Sequence, residues 1–397
     1  MRVKATPEDF VVREAADLRI RKDPAPYRVY LLEKKDWNTA DALMRIAKAK
    51  RVSYEKFRYG GKKDRHAHTF QYVTVQSPVD ASMTAKGYSL KLLGFSAEQM
   101  EPARIVSNHF ELTVRELKPQ EAAHLAAATE QLKESGMPNY FDDQRFGNLD
   151  KERGYVAEKM LQGRWEEALN LALTTIHPEE HTEAKQRKRD LRERWGDWAA
   201  CRAIAETALE QRAFDLLLAG GANPFRAALA TAHKETALLW VSTYQSFLWN
   251  EMLRRLLAEK GWAGARVPGP AGDYVFPTEI ARLGELVIPL PGRGMRFADP
   301  TTGLLFEEIL RERRLRPATL EEELLPGLAF RASPRSAVVR PSGLRVDEPM
   351  DDERYPGSCK LSLRFSLPRG CYATMLIKAL VASPYQSSEN AGNIQSV

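Results

Sequence analysis

The segment Tyr59-Gly-Gly-Lys-Lys-Asp-Arg-His-Ala-His-Thr-Phe-Gln71 holds the densest group of chemistry-bearing side chains in the sequence. Asp64 stands directly between Lys63 and Arg65. Flanking cations favour the ionised carboxylate, which suits a nucleophile or a base rather than an acid. The paired glycines leave the backbone free to turn tightly between two apolar elements. Taken alone, such a tripeptide reads first as a solvated charged turn. His66 and His68, one residue apart, could present two imidazoles on one side of an extended segment. Only two metal ligands are visible there, so exposed loop histidines are the plainer reading.

Other chemistries lack their signatures. The sequence has no GxxxxGK[ST] loop, no HExxH and no GxSxG. Gly292-x-Gly294 lies in a Gly/Pro-rich stretch without the flanking strand and helix of a dinucleotide site. Cys201, Cys359 and Cys371 are widely spaced and form no CxxC pair, which fits a reducing cytoplasm. No run of 18 apolar residues marks a membrane span, and the N-terminus lacks a signal-peptide h-region. With 43% hydrophobic and 28% charged residues, the 397-residue chain reads as globular, with two or three domains. The 59 Lys and Arg against 53 Asp and Glu give a net charge of +6, which permits a polyanionic partner without requiring one.

Four spaced blocks change the reading of Asp64. The segment Gly61 to Gln71 resembles the GxKDRxAxTxQ signature of the TruD family of tRNA pseudouridine synthases, through Gly61, Lys63, Asp64, Arg65, Ala67, Thr69 and Gln71. Lys4-Ala-Thr-Pro-Glu-Asp-Phe-Val-Val-Arg-Glu14 resembles the family's opening KxxPEDFxVxE. Pro138-Asn-Tyr-Phe141 with Gln144-Arg-Phe-Gly147 resembles its PNYFGxQRFG, although Asp142 replaces the glycine. Phe365-Ser-Leu-Pro-Arg-Gly370 with Tyr372-Ala-Thr374 resembles its closing FxLPxGxxAT. Ser107-Asn108 stands where the family commonly has Gly-Asn.

The resemblance implies an isomerase that turns uridine into pseudouridine in tRNA, at uridine 13 in the bacterial members. The reaction is redox-neutral, so no cofactor and no metal is expected. The expected partner is tRNA, in the cytoplasm, with no membrane. By the family's pattern Asp64 is catalytic, Lys4 pairs with it, Tyr372 stacks on the target base, and Asn139 and Phe141 bind substrate. Lys63, Arg65 and Arg145 are candidate contacts to the RNA backbone. So are Lys185, Arg187, Lys188 and Arg189 of a basic run that is otherwise a solvated helix face. Two other classes stand beside this reading. One is a non-catalytic RNA-binding protein of the same fold; the other is a metal-dependent phosphoryl-transfer enzyme, which lacks a second carboxylate near Asp64. Within the family reading, a pseudouridine synthase acting on another RNA is the alternative.

These residues need elements to position them. Alternation predicts strands at Tyr27–Leu32, Gln71–Val75, Phe110–Arg115 and Leu361–Leu367. Capping signals predict helices from Asn38 or Thr39 to about Arg51, with Leu43, Ile46 and Ala47 inside, and from Pro119 to Gly136. A long helix is expected from Glu235 to Lys260, with Leu238, Val241, Leu248, Met252 and Leu256 on its inner face. Tyr244-Gln-Ser-Phe-Leu-Trp-Asn250 within it resembles a further family block and reads as packing. Gly264 to Gly294 is expected to form irregular loops, and a short helix to span Ala373–Val381.

The fold class expected is α+β: a pseudouridine synthase core with a mixed or antiparallel sheet, interrupted by a mostly helical insertion of the TruD type. The core takes residues 1–155 and 335–385, the insertion 156–334, and a flexible tail 386–397. A basic cleft between core and insertion is expected to hold RNA.

Overall fold

The strand alternation at both ends of the sequence builds one sheet. The computed structural model describes residues 1–177 and 180–383. The tail expected over 386–397, and Pro178 and Glu179 of the charged stretch, lie outside them. The chain divides into two units, Met1–Met137 with the segment from Val339 onward, and Pro138–Val338. The division falls before the change of texture near Tyr155. Tyr140 and Phe141 already pack edge-on against Trp249 of the second unit, at ring-centroid distances of 6.5 and 5.7 Å.

In the first unit, β1 (Arg2–Val3), β2 (Phe10–Ala16), β3 (Tyr27–Lys35), β4 (Phe57–Tyr59), β5 (His68–Val75), β6 (Met83–Ala85), β7 (Tyr88–Ser96) and β8 (Ile105–Leu117) precede the second unit. The strands β9 (Ser342–Val346), β10 (Met350–Asp351) and β11 (Cys359–Pro368) follow it. Their order is β9-β11-β8-β2-β5-β3-β7-β6, with β1 on β8, β10 on β11 and β4 on β5. β2 and β5 run parallel, and the other pairings described in this sheet are antiparallel.

Register decides which side chains share a face. Tyr30, Leu32 and Lys34 of β3 lie opposite Val73, Gln71 and Thr69 of β5. Val12 of β2 lies beside Thr69. Phe10, Val12 and Glu14 stand against Leu112, Phe110 and Asn108 of β8, which in turn face Leu363, Phe365 and Leu367 of β11. The β3 face is therefore Tyr30, Leu32 and Lys34. Val29, on the opposite face of the strand, is buried as well.

Helix α1 (Thr39–Lys50) covers one end of this face. Its Leu43, Ile46 and Ala47 pack with Tyr30, Leu32, Val73 and Leu90. Arg51 closes it in the left-handed conformation, φ 54°. Helices α2 (Pro119–Ser135) and α3 (Ala373–Ala382) pack together, and His124 Nε2 lies 3.2 Å from the Leu380 carbonyl oxygen. A buried arginine of β8 ties the segment before β2 to the segment after β10. Arg115 Nε donates to Asp9 Oδ1 at 2.8 Å and its Nη1 to Asp352 Oδ1 at 2.9 Å. Asp9 Oδ2 in turn accepts the Thr6 N–H at 2.8 Å, fixing the turn behind Lys4.

The second unit is built on the long helix Lys234–Glu259, whose Tyr244, Leu248, Trp249 and Met252 are fully buried. Leu238, expected inside, is 44% exposed, because the covered stripe there runs through Ala237, Trp240 and Val241. The Gly/Pro-rich region is more regular than expected. Ala263–Val267 pairs with Tyr274–Pro277, and Val287–Leu290 with Ser333–Ser336. Buried Val267, Tyr274, Phe276 and Ile288 supply the apolar positions those short strands need. Among the described residues no helix is long and apolar enough to cross a membrane.

Arg115→Met should lower the free energy of unfolding by about 3–5 kcal/mol, because Asp9 and Asp352 would be left buried without their cation. Desolvation opposes ionisation of Asp352, but the N–H groups of Glu116 and Arg354 and the Arg115 guanidinium hold its carboxyl below the usual value of 3.8. Its contribution is therefore present above that value and lost as pH falls below it. Urea titrations of both proteins at pH 7 and pH 3 check this. The gap between wild type and variant should narrow at the lower pH.

Candidate active site

The chain from Gly60 to Ala67 joins β4 to β5 and carries Asp64. Five buried or half-buried polar side chains interrupt the apolar sheet face: Lys34, Thr69, Gln71, Glu14 and Asn108. Four of them hold this loop. Gln71 Nε2 donates to the Gly61 carbonyl at 3.0 Å, and Thr39 Oγ1 donates to Gln71 Oε1 at 2.9 Å. Thr39 Oγ1 also accepts the Lys63 N–H at 3.2 Å. Lys63 Nζ lies 2.6 Å from Asn108 Oδ1 and 2.7 Å from Glu14 Oε2. Lys34 Nζ donates to the carbonyl of Asp64 itself at 2.5 Å. Ala67, fully buried, anchors the loop's far end.

Asp64 meets its partner from the N-terminus. Lys4 Nζ is 2.7 Å from Asp64 Oδ2, with the two side chains 19% and 26% exposed. The same ammonium lies 4.2 Å from the centroid of the Phe10 ring, a cation–π contact that replaces part of its hydration. Lys4 adopts φ 65°, a conformation uncommon for a residue with a side chain. The Thr6–Asp9–Arg115 network holds that turn. The Asp64 carboxylate, bonded to the Lys4 ammonium and 26% exposed, is reachable from solvent.

The structure separates the expected cations by what engages them. Lys63 is turned inward onto Glu14 and Asn108, and its side chain is 10% exposed. Arg65 is exposed. His66 Nδ1 lies 3.5 Å from Asp36 Oδ1, while His68 Nε2 lies 2.8 Å from Glu33 Oε1, so the two imidazoles serve different carboxylates. Tyr372 is half-buried at the N-cap of α3, just beyond the end of β11. Leu367 near that end pairs with Asn108, which holds Lys63.

Asn139, Phe141 and Arg145 belong to the second unit. Asn250 brackets the Phe141 backbone, accepting its N–H at 2.9 Å and donating to its carbonyl at 2.8 Å. The Arg335 guanidinium lies 3.9 Å from the Phe141 ring centroid, and that of Arg145 lies 5.6 Å from it. Arg335 Nη2 also donates to Asn139 Oδ1 at 2.7 Å, while Asn139 Nδ2 donates to the Ser336 carbonyl at 3.0 Å. The basic run forms the helix Thr182–Glu193. Arg187 pairs with Glu206 and Glu210, and Lys188 with Glu180 and the Thr175 carbonyl. Arg189 is exposed and Lys185 half-buried.

Sequence reasoning missed Lys34, Thr39 and Arg335. Lys34 left a readable trace, a lysine on the buried phase of a strand. Arg335 left none, because its role comes from a contact far along the chain.

Residues 1–380 match the family described as tRNA pseudouridine synthase D (TruD). The tRNA pseudouridine synthase D of Leptospira interrogans is 30% identical over 391 residues, 96% of this chain and 95% of that protein. The protein of the same name from Aquifex aeolicus is 27% identical over 398 residues, 98% of this chain and 100% of its own. A crystal structure from Methanosarcina mazei, described as a tRNA pseudouridine synthase D, has the same fold. Its TM-score is 0.69 at 24% identity, over 96% of this chain and 93% of that one.

The two glycines before Asp64 differ in what they allow. A Cβ at Gly60 would fall 2.5 Å from Ile105 Cδ1, whereas one at Gly61 meets nothing within 4 Å. Gly60→Ala should therefore destabilise by about 1–3 kcal/mol through overpacking. Gly61→Ala should be neutral or stabilise by about 0.4–1 kcal/mol, through a less flexible unfolded chain. Thermal unfolding of both variants tests the contrast, and equal effects would contradict it.

Proposed function

The chain belongs to the tRNA pseudouridine synthase D (TruD) family, and from that premise we propose that it isomerises uridine 13 of tRNA to pseudouridine with Asp64 as the catalytic carboxylate. The observation that carries this reading is the Lys4–Asp64 pair, half-exposed on a loop pinned at every turn. The reaction breaks the bond from ribose C1′ to uracil N1, turns the base, and joins C1′ to C5. N1 gains a proton and C5 loses one, so atoms and electrons balance without an oxidant or a reductant.

A carboxylate can serve this sequence by adding to uracil C6, by attacking the ribose, or by removing a proton. All three start from its ionised form. Lys4 keeps Asp64 in that form as the site loses water around the flipped base. Tyr372, at the start of α3, offers a ring for the base to stack on. The amide of Asn139 is engaged by Arg335 and Ser336, so its part is to hold Arg335 against Phe141. Arg65 of the first unit and Arg189 of the second keep exposed side chains suited to phosphate, and Lys185 is a half-buried candidate. Lys63, Arg187 and Lys188 are engaged inside the fold and serve it rather than the RNA.

Incubating the protein with an unmodified tRNA transcript in a chelator, then mapping pseudouridine by nucleotide, tests the proposal. Conversion confined to uridine 13 supports it. Conversion elsewhere would overturn the choice of target, and no conversion would overturn the reaction.

Lys4→Met should reduce the single-turnover rate at saturating tRNA more than tenfold, a loss above about 1.4 kcal/mol of transition-state stabilisation. Removing a cation 2.7 Å from the carboxylate raises its proton affinity, so the acid limb of the pH–rate profile should move to higher pH. An unchanged rate and profile would show that the pair is ornamental.

A further inference from the structure

Lys34 occupies a position that the strand pattern reserves for an apolar side chain. It follows Tyr30 and Leu32 on the covered face of β3, between Thr69 of β5 and Tyr88 of β7 in register. Its side chain is fully buried, among the largest in the protein to be so. A lysine on a sheet face usually escapes by extending its stem to solvent. This one ends instead on the main-chain carbonyl of Asp64, 2.5 Å away.

From this contact we infer that Lys34 is a positioning residue for the isomerisation, fixing the peptide plane of Asp64 so that its carboxylate stays at the reacting base. The inference rests on the reading of Asp64 given above. Lys4 holds Asp64 by its side chain and Lys34 holds it by its main chain, so the residue is gripped at both ends. Lys63 and Gln71 fasten the loop on the residues before it. Lys34 supplies the tie at Asp64 itself, ahead of the buried Ala67. It also places a second cation close to the carboxylate, alongside Lys4.

The alternative, that Lys34 serves stability alone, has the wrong sign. Burial pushes its ammonium down to about 8, with Asp64 and Asp36 partly offsetting and Lys63 adding to the effect. A folded-state value below that of the unfolded chain means that protonation at neutral pH opposes folding. The penalty is relieved only as pH rises through the window from about 8 to 10.5. An apolar residue of the same length would avoid it. A side chain kept at a cost to stability, with its charge on the backbone of the catalytic residue, serves the chemistry.

Lys34→Met tests this on the full chain. The expected result is a single-turnover rate reduced at least tenfold and tRNA affinity within twofold of wild type. The acid limb should also move upward, since a cation near Asp64 is gone. A purely structural residue would lower the folded fraction and leave the single-turnover rate per folded molecule where it was. Should the Met variant not fold, Lys34→Gln, which keeps an N–H donor without the charge, is judged by the same three readouts. A rate within threefold of wild type together with an unmoved acid limb would overturn the inference. A wild-type chain that makes no pseudouridine would overturn the parent reading and this one together; an active wild type with an indifferent Lys34 variant would overturn this one alone.

Discussion

The contact between Lys4 Nζ and Asp64 Oδ2 is a single 2.7 Å ion pair between residues 60 apart in sequence. Much of the first unit can be understood as what that contact requires. A carboxylate that acts on a base must remain ionised while water leaves, so its partner has to be held as firmly as itself. Neither residue lies on a regular element. Lys4 sits in a turn with a left-handed backbone, and Asp64 in an eight-residue connection, 60–67, between two strands. Left to themselves, both segments would sample many conformations, and the pair would contribute little.

The sheet supplies the missing rigidity by an uncommon means. Its covered face is apolar at Phe10, Val12, Leu32, Phe110 and Phe365, yet polar at Glu14, Lys34, Thr69, Gln71 and Asn108. Polar groups at such positions are tolerable when each has a partner, because an orphaned one costs about 1–3 kcal/mol. Here Glu14, Asn108, Gln71 and Lys34 find partners in the loop that carries Asp64. On the other side, Asp9 fixes the Lys4 turn and is itself held by Arg115. The signature residues Lys63 and Gln71 thus earn their places as fasteners. They hold the loop that carries Asp64 in place.

Four strands and three helices of the first unit were legible in sequence because their signals are local, while strands such as β2 and β7 were not read. Alternation at Leu361–Leu367 and the caps at Asn38 and Gly136 matched the strands and helices observed. The Lys4–Asp64 pair was legible only through a pattern of spaced motifs, since nothing local joins the two residues. Where the expectations differ from the structure, the deciding contact is distant. Phe141 belongs with Asn250 and Arg335, more than 100 residues away, which no texture near Tyr155 could disclose. For Lys63 and Lys188 the sequence shows a cation and hides the carboxylate facing it, Glu14 and Glu180. Leu238 had the right phase and lacked a neighbour to cover it.

The claim on which the account turns is that the ionised carboxylate of Asp64 performs the reaction and does not hold the fold or the RNA. The most direct measurement is a single-turnover time course of pseudouridine formation with Asp64→Asn, beside tRNA affinity and thermal unfolding of the same protein. The amide keeps the size of the side chain and its contact with Lys4 while removing the charge. No detectable isomerisation is expected, with affinity and unfolding midpoint close to wild type. Turnover within about tenfold of wild type, equivalent to a loss of only ~1.4 kcal/mol, would contradict it.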